Sequence, residues 1–316
     1  MAESVTPPYL WFNGRIVPWA SATLHATDTI WAGISTVFEG IRAYWNPRTE
    51  TMHIFRLVEH LRRLEQSIRL IRMEMPHDVM ALLEDLPTLI TRNGIREDTY
   101  IRVVAFPSER RMASRADEEV INLLADTAPL PSHLHEDRAR HLMISSFTRI
   151  SDGIMSPLIK STANYRNSEM GVREAHLAGY DGPILLNRLG EVAEGAWSSF
   201  FMLRNGVLIT PNLQSDVLES VTRDTMLRLA DEDLELRVEE RRIGRTELYL
   251  ADEAFLCGTA AEVQPIGSID RLTLGDGEIG DITRRLRTAY EQVVRGESGA
   301  HPEWRISVPQ ASIVGG

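Results

Sequence analysis

The sequence predicts two α/β (α+β) domains joined by a short interdomain loop, and three observations lead to this prediction. The chain has 316 residues, more than one compact core usually holds. Strand-like and helix-like patterns are mixed without strict βαβ alternation. The proline-rich segment Ala128-Pro-Leu-Pro-Ser-His-Leu-His-Glu-Asp137 has no hydrophobic periodicity. We therefore expect a smaller N-terminal domain over residues 1–127, a loop over 128–138 and a larger C-terminal domain over 139–316.

The N-terminal part begins with a hairpin pattern. Two short apolar stretches in residues 9–17 flank Asn13-Gly14, a pair that type I′ turns favour because both central residues need a positive φ. Apolar residues recur at helical spacing over 58–73, and a second helical pattern over about 78–92 ends at Asn93-Gly94. Residues 100–106 and 120–124 have the composition of strands.

The C-terminal part contains a second hairpin pattern, with Asn205-Gly206 between the apolar stretches of 200–209. The residues after about Gly296 are expected to form a loosely held tail. Further strands are predicted over 142–147, 183–187, 200–204, 236–240 and 253–257, and helices over 165–178, 221–230 and 281–294.

Composition narrows the classes of function. Hydrophobic residues make up 43% and charged residues 25% of the chain, as is typical of a soluble folded protein. The formal net charge of −11 argues against binding nucleic acid or an anionic membrane, because both need a basic surface. We expect no membrane span and no signal peptide. The single cysteine, Cys257, excludes an internal disulfide and favours a reducing compartment, the cytoplasm.

One basic residue differs from all the others. Of the 34 basic residues, Lys160 is the single lysine and the rest are arginines. A single lysine could survive by chance. Yet arginine neither loses its proton nor forms an imine, whereas a desolvated lysine does both. We therefore interpret Lys160 as a candidate catalytic amine. Tyr165, five residues later, either lies near the same ligand or packs as an aromatic residue at a helix start.

Three other segments have compositions suited to a charged ligand. Ser220 is a candidate N-cap that would place the amides of Val221 and Thr222 at a helix N-terminus, where phosphate binds well. Glu194 could hold a pyridinium nitrogen protonated. The small residues Gly258-Thr-Ala-Ala261 would let backbone amides approach an anion. Taken singly, each is more often an ordinary cap, loop acid or packing contact.

Two further patterns are not interpreted as sites. Gly275-Asp-Gly-Glu-Ile-Gly280 matches a dinucleotide fingerprint, but its acidic residues would repel a pyrophosphate and no later strand completes the βαβ unit, so it predicts a turn. His133 and His135 lie in the predicted loop without further partners at ligand spacing, so no metal site is expected.

Together these segments resemble the class IV aminotransferases, which are fold-type IV pyridoxal-5′-phosphate (PLP) enzymes, and among them the branched-chain amino-acid aminotransferases. The matching blocks run in family order along nearly the whole chain. They are Val37-Phe-Glu-Gly-Ile-Arg-Ala-Tyr44, Phe55 to Leu64, Tyr100-Ile-Arg102, Lys160 to Tyr165, Glu194-Gly195, Leu218 to Asp224 and Tyr249 to Glu262.

The resemblance implies roles for individual residues. Lys160 would be the Schiff-base lysine and proton carrier, and the partners would be a small-molecule amino donor and a keto-acid acceptor. It also implies a homodimer or a higher homo-oligomer. Cofactor contacts would come from Arg63, Tyr165, Glu194, Leu218, Val221, Thr222 and Thr259, and substrate contacts from Phe38, Gly40, Arg42, Tyr100, Arg102 and Ala260.

Two departures from the family pattern leave the substrate open. Gly33 stands where branched-chain enzymes usually carry a tyrosine, and Ser108-Glu-Arg-Arg-Met-Ala-Ser114 replaces a glycine-rich loop. Arg110 or Arg111 could bind a carboxylate or could face water. The first hypothesis is an L-branched-chain amino acid:2-oxoglutarate aminotransferase. The alternatives are an (R)-selective amine:pyruvate transaminase, which a larger pocket would suit, and an aminodeoxychorismate lyase-like PLP enzyme.

Overall fold

The computed structural model describes residues 6–26, 33–108 and 120–309, so the predicted contacts of Arg110 and Arg111 lie outside the described residues. The helices are α1 (Leu57–Leu70), α2 (Leu82–Arg92), α3 (Thr162–Leu177), α4 (Val221–Arg228) and α5 (Asp281–Val294). The strands are β1 (Tyr9–Phe12), β2 (Arg15–Pro18), β3 (Val37–Asn46), β4 (Thr51–Phe55), β5 (Thr99–Ser108), β6 (Val120–Pro129), β7 (Arg140–Ile144), β8 (Gly182–Leu186), β9 (Val192–Gly195), β10 (Ser199–Arg204), β11 (Val207–Pro211), β12 (Arg237–Arg241), β13 (Glu253–Gly258), β14 (Glu262–Ile269), β15 (Leu272–Thr273) and β16 (Arg305–Val308).

Contacts divide the chain into two compact units. The first contains Met1–Pro131, Lys160–Ala163 and Gln292–Gly316, and the second contains Ser132–Ile159 and Asn164–Glu291. The chain first leaves the first unit after Pro131 and then returns to it twice. The predicted division at 128–138 has a single boundary and does not describe these returns. They arise because Ser161 forms a β-bridge with Val37 and because β16 pairs with β4.

The first unit is built on one sheet. Among the described residues its strand order is β16-β4-β3-β5-β6-β1-β2. The predicted hairpin is confirmed, since Asn13 and Gly14 both have a positive φ between β1 and β2. Helix α1 packs against β3 and buries the apolar stripe that its spacing predicted.

The second unit is built on another sheet, ordered β12-β11-β10-β13-β14-β7-β8-β9 in the described part of the chain, with β15 beside β14. Its core contains Phe200, Met202, Leu256 and Ile266, all nearly inaccessible to solvent. The hairpin at Asn205-Gly206 is confirmed by its positive φ values. The mixed α/β (α+β) class predicted from the sequence is therefore confirmed.

One sequence prediction about an irregular segment was wrong, and the interdomain loop over 128–138 stays a prediction. Strand β6 continues to Pro129, with its residues paired to β5 as far as Thr99, so its end overlaps the first two residues of that predicted loop. The C-terminal residues are not a loose tail as far as they are described. Trp304 is 2% exposed, and β16 forms an antiparallel pair with β4.

One smaller prediction was correct. The glycines Gly275 and Gly277 both adopt a positive φ in a turn that precedes α5, so this fingerprint is a turn, as predicted. Among the described residues, no helix has both the length and the apolar character that crossing a bilayer requires.

The C-terminal anchor gives a first prediction. The Trp304 ring stacks on His301 at 3.8 Å between centroids, and its carbonyl accepts a 2.6 Å hydrogen bond from the Arg56 amide. We expect Trp304→Ala to lower the free energy of unfolding by about 3–5 kcal/mol, because it empties a buried aromatic site. Urea denaturation would measure this loss.

Trp19→Ala is the control for this prediction, because 48% of that side chain is exposed. Equal stability losses in both variants would contradict the role assigned to Trp304.

Candidate functional site

One face of the first sheet collects the residues predicted to contact substrate. Strands β3 and β5 pair in a register that sets Gly40 opposite Arg102 and Arg42 opposite Tyr100. Directly opposed residues of an antiparallel pair share a face, and so do residues two apart on one strand. Phe38, Gly40, Arg42, Tyr100 and Arg102 therefore all lie on the same face. We call it the open face.

Gly40 is a position where the fold requires glycine. A Cβ atom there would overlap the phenol oxygen of Tyr100. The aromatic side chain therefore lies directly against the β3 backbone, and any larger residue would displace it. This close approach places a hydroxyl group on the open face between β3 and β5.

The two arginines of the open face have different partners. Arg42 is 1% exposed, and its Nη2 donates to the carbonyls of Leu130 at 2.9 Å and Pro131 at 2.8 Å. Arg102 is half-exposed and pairs with Asp126 on β6 through two hydrogen bonds, of 3.1 Å and 2.5 Å. These bonds raise the pKa of the Arg102 guanidinium. Arg42 thus binds backbone carbonyl groups of Leu130 and Pro131, whereas Arg102 remains accessible to a ligand.

Lys160 lies beside the first residues of β3. Its carbonyl accepts from the Phe38 amide at 3.0 Å, and its own amide donates to Ser67 Oγ at 3.1 Å. Its Nζ lies 5.0 Å from the centroid of the Phe38 ring, and only 9% of the residue is exposed. An aromatic face stabilises a cationic amine. The backbone of Lys160 is therefore held from both sides, with its amine next to the open face.

The opposite face of β3 carries a buried charge. Glu39 is completely inaccessible and accepts two hydrogen bonds from Arg63 of α1, from Nε at 2.6 Å and from Nη2 at 2.8 Å. His60 Nδ1 lies 2.7 Å from the same carboxylate. Burial alone would raise the pKa of the Glu39 carboxyl, but the charge and hydrogen bonds of Arg63, together with those of His60, hold it well below its usual range.

His60 serves this cluster as a neutral donor. Burial, helped by the positive charges of Arg63 and Lys160, lowers the pKa of His60 below its ordinary value. At neutral pH the imidazole is therefore uncharged. Because ionised Glu39 only accepts hydrogen bonds, His60 Nδ1 carries the proton that it donates. The contact is a hydrogen bond between a neutral ring and a carboxylate and carries no second positive charge.

In the second unit, Glu194 lies near the end of β9 and is 5% exposed. Its Oε1 forms an ion pair with Arg149 Nε at 2.7 Å, and its Oε2 accepts from the Leu218 amide at 3.1 Å. No sequence motif contains Arg149, so sequence analysis did not identify it. Only the fold shows that this arginine balances the buried carboxylate. Leu218 is half-buried beside it in the chain segment that leads into α4.

The predicted cap of α4 is confirmed. Ser220 Oγ accepts from the Arg223 amide at 3.2 Å, so Val221 and Thr222 are the first helical residues. Both are buried. Backbone N–H groups in a first turn are not used by the helix itself and favour an anion. Arg223 is not directed to that purpose, because its Nη2 bonds Pro211 and Glu240.

The last predicted segment is the turn after β13. Thr259 is partly buried and Ala260 is exposed, and a Cβ at Gly258 would lie 3.1 Å from the Trp197 carbonyl. Glu262, at a positive φ of 53°, closes the turn, and its carboxylate accepts from the His133 amide at 2.6 Å. The second unit thus provides small residues at this turn. It also places Tyr165, half-buried, in the first turn of α3.

The residues of each unit suit the predicted cofactor. The first unit has a buried primary amine beside an aromatic ring and a buried arginine on α1. The second has a buried carboxylate able to accept a proton-bearing ring nitrogen, together with a capped helix N-terminus suited to a phosphate. In the described part of the chain no group of histidine, cysteine, aspartate or glutamate side chains could hold a metal ion. These groups suit an organic phosphate that also carries a reactive carbonyl.

The chain is similar to known proteins along nearly its whole length. Residues 36–269 match the family model of amino-transferase class IV. A probable branched-chain-amino-acid aminotransferase of Aquifex aeolicus is 35% identical over 304 residues, 96% of this chain and 98% of the relative. A branched-chain-amino-acid aminotransferase of Pseudomonas aeruginosa is 36% identical over 303 residues, 95% and 97% of the two chains. The structure of the branched-chain amino acid aminotransferase from Thermobaculum terrenum in its PLP form has a TM-score of 0.94 at 46% identity, covering 96% of this chain and 99% of that one.

The buried cluster around Glu39 gives a prediction about stability and pH. We expect Glu39→Gln to lower the free energy of unfolding at pH 7 by about 3–5 kcal/mol, because it leaves the Arg63 charge buried without a counter-ion. The folded-state pKa of Glu39 is lowered, so its contribution is complete above its unfolded pKa of about 4.3 and is lost as the pH falls below that value. The stability difference between the two proteins should therefore narrow in acid.

Urea denaturation at pH 7, 5 and 3 would measure this narrowing. Glu169→Gln is the matched control, because Glu169 also pairs with arginine side chains, those of Arg166 and Arg173, but at the surface. We expect little change in that variant. A stability loss in Glu39→Gln that stays constant over the whole pH range would show that the substitution acts through packing and not through the ionised carboxylate.

Proposed function

This chain belongs to the class IV aminotransferases, PLP enzymes of fold type IV, as the sequence predicted, and from this membership we propose that it moves an amino group between an L-branched-chain amino acid and 2-oxoglutarate. The observation that supports this most directly is the single lysine. Lys160 is buried, its backbone is held by Phe38 and Ser67, and its amine lies against an aromatic ring on the open face. No arginine could replace it chemically.

The lysine has two tasks in this proposal. Its Nζ would hold the cofactor through the cofactor carbonyl, and the free amine would carry a proton to and from the substrate Cα. PLP, when bound, supplies an electron-withdrawing ring that stabilises the negative charge on that carbon. Hydrogen bonds that fix the Lys160 backbone limit the volume that Nζ can sample, which favours return of the proton to the correct atom.

The remaining cofactor contacts are proposed from the family pattern. Glu194 would accept the proton-bearing ring nitrogen, with Arg149 balancing its charge when the ring is absent. Tyr165 and Leu218 would contact the ring. The phosphate would be held by Arg63, Val221, Thr222 and Thr259. Substrate would be held by the five residues of the open face and by the backbone of Thr259 and Ala260.

Assembly and location are also part of the proposal. The chain exposes several large apolar residues, among them Trp19, Ile34 and Leu158, which are 48%, 55% and 40% exposed. Exposed apolar side chains favour contact with a second copy of the chain, so we propose a homodimer or a larger homo-oligomer. The buried free thiol of Cys257 is compatible with the reducing conditions of the cytoplasm.

A second candidate function is an (R)-selective amine:pyruvate transaminase. The observation that favours it is Gly33, where a Cβ would meet no atom of the described residues within 4 Å. The space is open at the position where branched-chain enzymes usually carry a tyrosine. A larger pocket would accept an amine whose two substituents are both bulky. Turnover of an amine that has no carboxylate would favour this candidate.

The role of the lysine predicts the behaviour of two variants. We expect Lys160→Ala and Lys160→Arg to lose the visible absorbance of the bound cofactor and all detectable transamination, because neither side chain forms an imine. Thermal melting should remain close to that of the unchanged protein. The arginine variant keeps the positive charge beside Phe38, so its failure would exclude a purely electrostatic role. Normal turnover in either variant would overturn the proposal.

The amino donor predicts a spectral change. We expect L-leucine, added without any keto acid, to bleach the yellow absorbance of the PLP-loaded enzyme, and 2-oxoglutarate to restore it. Restoration would show that both halves of the transfer occur at one site. A yellow protein that L-leucine leaves unchanged but that (R)-1-phenylethylamine bleaches would support the second candidate.

A further inference from the structure

The open face carries a carboxylate that no sequence motif indicated. Asp126 on β6 lies directly opposite Arg102 on β5, which lies directly opposite Gly40 on β3. The three positions form one row across the sheet and therefore point to the same side. The row places an acidic side chain within the predicted substrate surface.

The pair is bidentate. Arg102 donates from Nε to Oδ1 at 3.1 Å and from Nη2 to Oδ2 at 2.5 Å. A guanidinium has five N–H groups, and this arrangement uses one edge of its fork. Within the described residues, no acceptor other than Asp126 bonds to Arg102. The second edge is therefore available to a ligand while the first is occupied by Asp126.

The neighbours of the pair on the open face are apolar on one side and mixed on the other. One adjacent row contains Phe38, Val104 and Leu124. The row on the other side contains Arg42, Tyr100 and Ala128, and the buried Arg42 guanidinium donates to the carbonyls of Leu130 and Pro131. The Arg102–Asp126 pair thus borders an apolar row that suits a hydrocarbon side chain, and its own charge is already balanced.

The proposed function sets a conflicting demand on this surface. A branched-chain donor brings an apolar side chain, whereas glutamate and 2-oxoglutarate bring a second carboxylate. A cation without a counter-ion would bind the carboxylate but would be costly beside an apolar side chain, because desolvating it is unfavourable. A surface without a cation would exclude the dicarboxylate. A single surface that binds both an apolar side chain and a second carboxylate therefore needs a cation that can exchange one carboxylate partner for another.

We propose that Asp126 is a specificity-determining residue, which neutralises Arg102 while an apolar side chain is bound and yields part of the guanidinium to the second carboxylate of a dicarboxylate substrate. The inference rests on the proposed function, since it assigns the open face to substrate. With an apolar ligand, Arg102 stays paired. With a dicarboxylate, the negative charge of Asp126 remains nearby and weakens binding, so the two kinds of ligand are held with comparable affinity.

The test uses non-reacting ligands, so it does not depend on turnover. Glutarate and 4-methylpentanoate are glutamate and leucine without their amino groups, and their dissociation constants for the PLP-loaded enzyme can be measured by calorimetry. Asp126→Asn keeps the size of the side chain and one hydrogen-bond acceptor but removes its charge. At about 6 Å and an effective dielectric constant of about 40, removing that charge corresponds to about tenfold in affinity for a neighbouring carboxylate.

We therefore expect opposite changes in the two ligands. Asp126→Asn should bind glutarate about tenfold more tightly and 4-methylpentanoate more weakly. In kinetics, the KM for 2-oxoglutarate should fall while the KM for L-leucine rises. Loss of fold would weaken both ligands together, so opposite directions cannot arise from damage to the structure.

Two controls isolate the mechanism. Asp181→Asn alters an ion pair with Arg138 that has the same 2.5 Å separation and nearly the same exposure, 58% and 21% against 56% and 22% for Arg102 and Asp126. It should leave both dissociation constants unchanged. In an Arg102→Leu background, Asp126→Asn should no longer improve glutarate binding, because the coupling runs through the guanidinium.

The outcomes separate this inference from the proposed function. Glutarate affinity that is unchanged or weaker in Asp126→Asn overturns the inference, even if L-leucine and 2-oxoglutarate are turned over. Opposite shifts of the two ligands support the inference, even if L-leucine proves not to be a donor and the proposed function fails. An equal gain for both ligands also overturns it, because it would show that Asp126 repels the α-carboxylate that all these substrates share.

Discussion

The carboxylate of Glu39 has no contact with solvent, and the way its charge is balanced determines how helix α1 lies on strand β3. Arg63 and His60 reach it from one helical face. Ser67 lies on that same face, because positions 60, 63 and 67 follow the spacing i, i+3 and i+7, and it fixes the Lys160 backbone. One buried charge therefore orients the helix that holds the reactive lysine, and the cost of burying it without partners keeps the helix from rotating.

Strand β3 transmits this constraint to the open face. Its side chains alternate, so that Glu39 points to the helix while Phe38 and Gly40 point to the other side. A shift of the strand by one residue would exchange the two sets and bury the proposed substrate residues under α1. The pairing of β3 with β5 opposes such a shift, and a side chain at position 40 would displace the Tyr100 ring from its contact with β3. The ion pair on one face thus stabilises the register that builds the other.

The sequence alone was sufficient for the elements with strong local signals and insufficient where partners are distant in the chain. Hairpins at Asn-Gly pairs and the helix capped by Ser220 were predicted correctly, because their causes lie within a few residues. The buried position of Trp304 was not, because the strand that follows it pairs with β4, about 250 residues earlier. Arg149 and Asp126 were not predicted for the same reason, since their partners Glu194 and Arg102 lie far from them in the sequence. The role of a single arginine or aspartate becomes visible only when the fold shows which side chain it contacts.

Three arginine–carboxylate pairs show how burial separates permanent contacts from exchangeable ones. Arg63 with Glu39 and Arg149 with Glu194 are shielded from water, and breaking either would leave a desolvated charge. Arg102 with Asp126 is bidentate but half-exposed, and water or a ligand can replace a partner at little cost, as for surface pairs in general. Arginine–carboxylate pairs thus stabilise the fold where they are buried, whereas at the surface one of the two partners can be exchanged for a ligand. The proposed transamination brings two unlike substrates to the chain in turn, and the replaceable pair lies on the face proposed to receive them, whereas the two permanent pairs lie in the interior.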